Sequence, residues 1–340
     1  VNEHQTIGIA LVGLGEYAES QILPALKETS YCRLSAVITD NEKNKQEVAD
    51  KCGLSASQVY YYEDFEELKK DASVQLVYII VPNQLHRRYC EMAASCGKHV
   101  LCEKPMAISV NDCRAMIDAC NKHQVRLFIG YRLHFEPHHE VLISLIKKNK
   151  YGRLLRLESC NGFHMKDGND DWRLKKQIAG GGSMMDMGIY IINECRQVFE
   201  ELPISVKARK IQQRPAMFKE VEESLEWEMI YKDDRLAKGY CSYSEDKSYL
   251  KIEFEHGLME VENAYKYEGL SIKLNGDAYQ FDQADHKTDM LKHIATCILE
   301  NKRSKIEPQE GLEDIQVIEA IYESMETGKP VEMHQPLVVE

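Results

Sequence analysis

The feature that most constrains this chain is an alternation in its first 128 or so residues. Short apolar runs take turns with amphipathic stretches, and the first run ends on a glycine turn. Thr6–Val12, Arg33–Ile38, Leu76–Val81, His99–Cys102 and Arg126–Ile129 read as buried strands. Glu19–Glu28, Lys43–Cys52, Leu85–Ser95 and Val110–His123 carry the helical period, the last opening on Ser109-Val-Asn-Asp112, the spacing of a capping box. Strands that alternate with helices imply βαβ units and a parallel sheet covered on both faces. Pro24 falls inside the first helical stretch and is expected to kink or split it.

The pattern changes after about residue 150. Arg153–Phe163, Ile204–Ile211, Leu225–Tyr231, Ala237–Tyr243, Tyr249–Phe254, Gly257–Val261, Leu270–Leu274 and Ala278–Phe281 are successive strand candidates. Lys232-Asp-Asp234, His256-Gly257 and Asn275-Gly276 supply turns. Asp285–Glu300 and Leu312–Glu326 read as helices, the second ending at Gly328-Lys-Pro330. The expected architecture is an α/β N-terminal Rossmann domain, residues 1–128. An α+β C-terminal domain with an open, mainly antiparallel sheet follows over 129–340. The last helix, about 310–327, is expected to pack back on the first domain.

Composition removes several function classes. The chain has 340 residues and a formal charge of −12, and neither half is basic, so the counterion release that drives nucleic-acid binding has no source. A polybasic membrane patch is equally unsupported. The longest plain apolar stretch, Leu76–Val81, is far short of a span. The start carries no basic segment followed by an apolar core, so a cytoplasmic protein is expected. Eleven cysteines, an odd number with no C-x-x-C pair, read as buried free thiols in a reducing compartment.

Gly13-Leu-Gly15-Glu-Tyr-Ala18 is G-x-G-x-x-A after a strand and before a helix. Glycines there allow a tight turn and let the backbone approach a pyrophosphate, which sits on the helix N-terminus. Asp40 ends the second strand, where a carboxylate accepts hydrogen bonds from an adenosine ribose and repels a 2′-phosphate. Glu16 puts a negative charge near the pyrophosphate, and Lys43 and Lys45 offer a 2′-phosphate partners. NAD is favoured, with NADP the alternative.

Two clusters carry chemistry. Cys102-Glu-Lys-Pro105 follows a strand directly, which places Lys104 at the carboxyl end of the sheet, where open α/β sheets bind ligands. A lysine there can bond the oxygen that gains charge in hydride transfer; alternatively it is a solvated turn lysine. The second cluster is Gly180-Gly-Gly-Ser-Met-Met-Asp186-Met-Gly-Ile-Tyr190. The triple glycine lets the backbone pass close to a ligand, and Asp186 and Tyr190, four apart, share a helix face. A phenol beside positive charge can act as general acid or base. The plainer reading makes Asp186 a helix-start carboxylate and Tyr190 a core aromatic.

These segments, with Val81-Pro-Asn83, His86 and Gly130-Tyr-Arg132, resemble the glucose–fructose oxidoreductase/inositol dehydrogenase family, Gfo/Idh/MocA, over essentially the whole chain. Gly13–Leu26, Tyr131–Pro137, Trp172-Arg-Leu174 and Gly180–Tyr190 resemble its glucose–fructose branch most. The resemblance implies that Lys104 is the catalytic lysine and that Asp186 and Tyr190 bind and protonate the substrate oxygen. It implies that Gly13, Gly15, Glu16, Tyr17 and Asp40 hold the dinucleotide, that Pro82, Asn83, His86 and Glu103 line the nicotinamide half, and that Arg132, Trp172 and Arg173 lie near cofactor or sugar. Asp40 departs from that branch, where a small residue accompanies tightly held NADP.

The expected activity is NAD(P)-dependent transfer of a hydride between nicotinamide and a hydroxyl or carbonyl of a sugar or polyol, at a site between the domains. A cyclic diol dehydrogenase and a non-catalytic dinucleotide-binding sensor or assembly subunit are the alternatives. Substrate choice is expected to lie in loops such as His164–Asp171. An exposed antiparallel sheet favours a homodimer or homotetramer. His134, His138, His139 and Glu140 cluster in sequence, but Pro137 breaks their spacing, so no metal is expected.

Overall fold

The computed structural model describes residues 6–40, 44–166, 171–282 and 285–333. Lys43 and residues 167–170 of the His164–Asp171 loop lie outside the described residues. By its internal contacts the chain forms two units. One takes residues up to Ala107, Asn111–Phe135 and the described part of 284–311. The other takes Ile108–Val110, the described part of 136–283, and the chain from Leu312 onward.

The first unit is built on six strands: β1 (Ile7–Val12), β2 (Cys32–Thr39), β3 (Val59–Tyr61), β4 (Leu76–Ile79), β5 (His99–Cys102) and β6 (Leu127–Ile129). All neighbours pair in parallel, in the order β3-β2-β1-β4-β5-β6. Every residue of β1 and β4 is buried, as a strand covered on both faces requires. The order reverses between β1 and β4, the point where such sheets open a crevice at their carboxyl ends.

The connecting helices are α1 (Leu23–Glu28), α2 (Lys45–Cys52), α3 (His86–Ser95) and α4 (Val110–Lys122). The expected break at Pro24 is present. A π-helical turn, Ala18–Ile22, precedes α1, and the Leu23 N–H reaches back to the Ala18 carbonyl. Pro24 has no N–H to give, and the wider register ahead of it absorbs the loss. The short β3 was not foreseen as a strand, because Tyr60 to Tyr62 form a brief aromatic run without clear alternation.

In the second unit α5 (Pro137–Lys147) is followed by β7 (Leu154–Gly162), α6 (Lys176–Ala179) and α7 (Ile189–Phe199). Then come β8 (Ser205–Ile211), β9 (Ser224–Ile230), β10 (Leu236–Ser242), β11 (Ser248–Phe254), β12 (Gly257–Glu262), β13 (Ser271–Leu274) and β14 (Asp277–Tyr279). Two helices, α8 (His286–Leu299) and α9 (Pro308–Thr327), and a two-residue strand β15 (Val331–Glu332) complete the chain.

The nine strands form one sheet, β14-β13-β12-β11-β7-β10-β9-β8-β15. It is antiparallel throughout except at its centre, where β7 and β10 run parallel. One face buries Trp227, Met229, Leu250, Ile252 and Met259. The other carries cross-strand charge pairs: Lys238–Glu228 at 2.5 Å, Lys251–Glu260 at 3.8 Å and Lys273–Glu262 at 3.3 Å. Exposed pairs like these add little stability, but they keep an open face soluble.

The sequence reading drew its boundary at 128/129. In the structure α8 groups with the first sheet. Asp285 caps it by accepting from the Lys287 and Thr288 N–H groups, and Met290, Leu291, Ile294 and Ala295 are fully buried. The Cys32 thiol donates to the Leu291 carbonyl at 3.5 Å, and Lys287 Nζ to Gln21 at 2.8 Å. α9 begins at Pro308, four residues earlier than its apolar period suggests, because Gly311 interrupts that period while packing against Met106 and Ile129.

Candidate active site

In the first unit the turn after β1 is shaped by two glycines with different surroundings. Gly13 has φ +93°, and a Cβ there would stand 2.2 Å from the Ile80 carbonyl at the end of β4. Only glycine fits. Gly15 is exposed and has no atom within 4 Å of where a Cβ would lie. Helical geometry starts at once, with the Glu19 N–H bonded to the Gly15 carbonyl. Open space against a helix N-terminus fits a pyrophosphate. Glu16 is exposed and Tyr17 half-buried beside it. Asp40 is exposed just past β2. Lys45, a proposed 2′-phosphate partner, is instead engaged with Asp64 at 3.6 Å and sits 4.3 Å over the Tyr61 ring.

The carboxyl ends of β4, β5 and β6 carry the next group. The Glu103 N–H donates to the Ile79 carbonyl and the Gly130 N–H to the Cys102 carbonyl, so the ladder continues into the loops. Glu103 accepts from the Tyr78 hydroxyl at 2.6 Å and from the Lys104 N–H at 3.2 Å. Burial pushes its carboxyl up; those donors and the charges of Lys104 and Arg132 pull it back. Lys104 leads into a cis peptide with Pro105. Arg132 is 2% exposed, and its charge favours the ionised form of Glu103. Asn83 is buried and Pro82 half-buried. His86 is buried, and each ring nitrogen lies 2.9 Å from a carbonyl oxygen, Nδ1 from Pro105 and Nε2 from Val81.

In the second unit the glycine-rich segment differs from expectation in a useful way. A Cβ on Gly181 would lie 1.9 Å from the Tyr322 hydroxyl, and one on Gly182 would lie 2.1 Å from the Glu222 carbonyl. Protein atoms approach this backbone closely at Gly181 and Gly182. The Glu222 carboxylate accepts from the Gly182 N–H and the Met184 N–H, each at 2.9 Å, and from the Tyr322 hydroxyl at 3.0 Å. It thereby satisfies backbone donors at the start of the helical run. Asp186 lies in a π-helical turn, Met184–Gly188, that leads straight into α7 and Tyr190. Such turns frequently mark functional positions.

Asp186 Oδ2 accepts from the Tyr243 hydroxyl at 3.2 Å and faces Arg173 Nε at 3.3 Å. Arg173 also pairs with Asp171 at 3.2 Å and lies 4.9 Å over the Trp172 ring. Desolvation works against the charged guanidinium, yet Asp186 and Asp171 together raise its affinity for the proton. Burial, reinforced by Asp186, pushes the Tyr243 phenol well up, so it stays a donor. The Tyr243 ring is fixed by Phe218, stacked at 5.9 Å, and by Phe163, edge-on at 5.3 Å. Met165, Leu174 and Val221 complete that apolar wall, with Met187 packed against it. Tyr190 is 8% exposed and packs 6.1 Å from Tyr265, whose hydroxyl lies 2.7 Å from Ser159.

Tyr78, Glu222, Tyr243 and Tyr322 were not singled out in the sequence. Each lies 25 or more residues from the residue it supports, and nothing in the local pattern marks it. Among the described residues no group of three or more His, Cys, Asp or Glu is arranged to hold a metal ion. His138 and His139 face the buried Glu194 at 3.7 and 2.9 Å, and His134 faces Glu310 at 3.1 Å. Glu140 is exposed. No helix among the described residues is long and apolar enough to cross a membrane.

The chain is similar to known proteins over most of its length. The family model described as an oxidoreductase family with an NAD-binding Rossmann fold matches residues 7–131. The model of the GFO/IDH/MocA C-terminal domain matches residues 139–260. The solved aldose-aldose oxidoreductase from Caulobacter crescentus, complexed with glycerol, superimposes with a TM-score of 0.93 at 33% identity, covering 97% of this chain and 100% of that one. The D-xylose 1-dehydrogenase [NADP(+)] of Haloarcula marismortui is 26% identical over 96% of this chain and 93% of its own. The D-xylose 1-dehydrogenase (NADP(+)) 2 of Haloferax volcanii is 27% identical over 95% and 98%.

Proposed function

This chain belongs to the Gfo/Idh/MocA oxidoreductase family and is an NAD(P)-dependent oxidoreductase, and from that premise we propose that it interconverts a hydroxyl and a carbonyl on an aldose or polyol-like substrate. The observation that carries this reading is Asp186, held by Tyr243 and Arg173 in the helical run that presents Tyr190. A carboxylate fixed by two donors keeps lone pairs for substrate hydroxyl groups, which a sugar supplies in number.

A bound nicotinamide dinucleotide supplies the hydride acceptor or donor. The backbone N–H groups of the Gly13–Gly15 turn and of Glu16 and Tyr17 would hold its pyrophosphate, and Asp40 its ribose, while Pro82, Asn83 and Glu103 border the nicotinamide half. In the reductive direction Tyr190 gives its hydroxyl proton to the carbonyl oxygen that gains charge as hydride arrives at carbon, and Lys104 stabilises that oxygen. Asp186 orients the neighbouring hydroxyl groups, with Trp172 and Arg173 beside it. The exposed carboxylate of Asp40 and the engagement of Lys45 support NAD over NADP. Eleven buried thiols without a disulfide support a reducing compartment, the cytoplasm. The open nine-stranded sheet supports a homodimer or homotetramer, which light scattering reads directly.

Native mass spectrometry of the purified protein, followed by NAD and NADP titration and an aldose and polyol panel read at the nicotinamide absorbance, tests the proposal. Turnover of D-glucose, D-xylose or a related sugar is the expected result. Dinucleotide binding without exchange against any member of the panel would leave a non-catalytic binder.

A further inference from the structure

The resemblance set His86 among residues lining the nicotinamide half, but its surroundings give it different work. The ring is 1% exposed. Nδ1 lies 2.9 Å from the Pro105 carbonyl and Nε2 2.9 Å from the Val81 carbonyl, so both nitrogens are already directed at backbone. Those carbonyls belong to two different loops. Val81 precedes Pro82 and Asn83, just past β4; Pro105 follows Lys104, just past β5. The strands are neighbours in register, Ile79 opposite Cys102. The imidazole therefore spans the two loops that leave adjacent strands.

We propose that His86 is a positioning residue that fixes Lys104 by tying the Pro105 loop to the Val81 loop, and that it makes no contact with the dinucleotide. The inference rests on the role proposed above for Lys104. A neutral imidazole has one N–H, and two facing carbonyls ask for two. The carbonyls of Val81, Pro105 and Met106 favour a second proton, while burial and the charge of Lys104 oppose it more strongly and hold the ring below its ordinary range. With one proton the ring still anchors one loop and wedges against the other. A turn carrying a reacting group needs this kind of support, because a displacement near 1 Å costs about 10²-fold in rate.

The test uses the full chain with His86→Ala and His86→Asn, whose amide NH2 keeps a donor for a carbonyl. Dinucleotide affinity is read by titration, and kcat and KM with an aldose that the wild-type protein turns over. The expected result is a kcat lower by roughly 10- to 100-fold in His86→Ala, partial recovery in His86→Asn, and NAD affinity within about threefold of wild type. The double variant with Lys104→Ala should be no slower than Lys104→Ala alone, since His86 acts only through that lysine. A tenfold loss of NAD affinity with kcat unchanged, or effects that multiply in the double variant, would overturn the proposal. If the wild-type protein turns over no aldose, the functional reading fails separately. Amide hydrogen exchange then decides: faster exchange across Lys104–Ala107 in His86→Asn supports the brace, and unchanged exchange removes it.

Discussion

The two glycine runs look alike in sequence and do opposite things. Gly13–Gly15 turns the chain after β1, and beyond Gly15 there is open space. Gly180–Gly182 turns the chain before Asp186, and the space beyond it is filled by Tyr322 and Glu222. The first run leaves its space open, as the proposed dinucleotide site requires. The second makes room for the protein's own supports, so that a carboxylate from before β9 and a phenol from α9 can hold the backbone that leads to Asp186 and Tyr190. A glycine-rich motif therefore marks close approach, and only the fold says what approaches.

The sharpest break in this comparison is made by side chains rather than glycines. Lys104→Ala should lower kcat by about 10²-fold or more with melting temperature and dinucleotide affinity nearly unchanged, because the lysine stands on a locally built turn. A loss confined to dinucleotide affinity would take the lysine out of the chemistry. Next come the glycines themselves. Gly182→Ala forces a Cβ against the Glu222 backbone and should cost about 2–3 kcal/mol, seen as a lower denaturation midpoint. Gly15→Ala should leave that midpoint within experimental error and weaken dinucleotide binding. Equal destabilisation by both would erase the distinction. Tyr243→Phe removes one donor from Asp186, worth about 1 kcal/mol, and should lower kcat about fivefold while the fold, read by circular dichroism, is unchanged.

The smallest effect belongs to the first unit's response to acid. His293 on α8 accepts from the Lys305 N–H through Nε2. Burial, with the charges of Lys305, His134 and Arg126, pushes it down to about 4. A pKa depressed on folding gives stability that is complete above the unfolded value, about 6.5, and lost as pH falls toward 4. The melting temperature should drop from pH 7 to pH 5, and His293→Gln should narrow that drop.

Much of the first unit was legible because its signals are local. Strand, glycine turn and helix follow one another within 22 residues, and each apolar run buries on both sides. The second sheet was legible strand by strand through its alternation, and eight candidate strands appear with ends shifted by only a few residues. The parallel pairing of β7 with β10 was not, since alternation fixes which face a residue takes and says nothing about which strand lies beside it. Asp186 and Tyr190 could be picked out by their spacing. Glu222, Tyr243 and Tyr322 could not, because a support 38 to 100 residues away leaves no periodic trace. His86 was found by resemblance, and only its two carbonyl neighbours show what it touches.

The placement of α8 has a consequence for how the protein is made. β2 and the π-turned helix before it emerge from the ribosome early, but the helix that covers them is encoded after residue 284. At about 5–20 residues per second, the 150 or so residues between Phe135 and α8 take roughly 7–30 s to synthesise. Throughout that interval the apolar surface on β2 and α1 that Met290, Leu291 and Ile294 help to bury is open to chaperones and to other nascent chains. A fragment cut at the end of β6 would keep that exposure for good, so the dinucleotide-binding half of this protein is not a piece that scissors at residue 130 can set free.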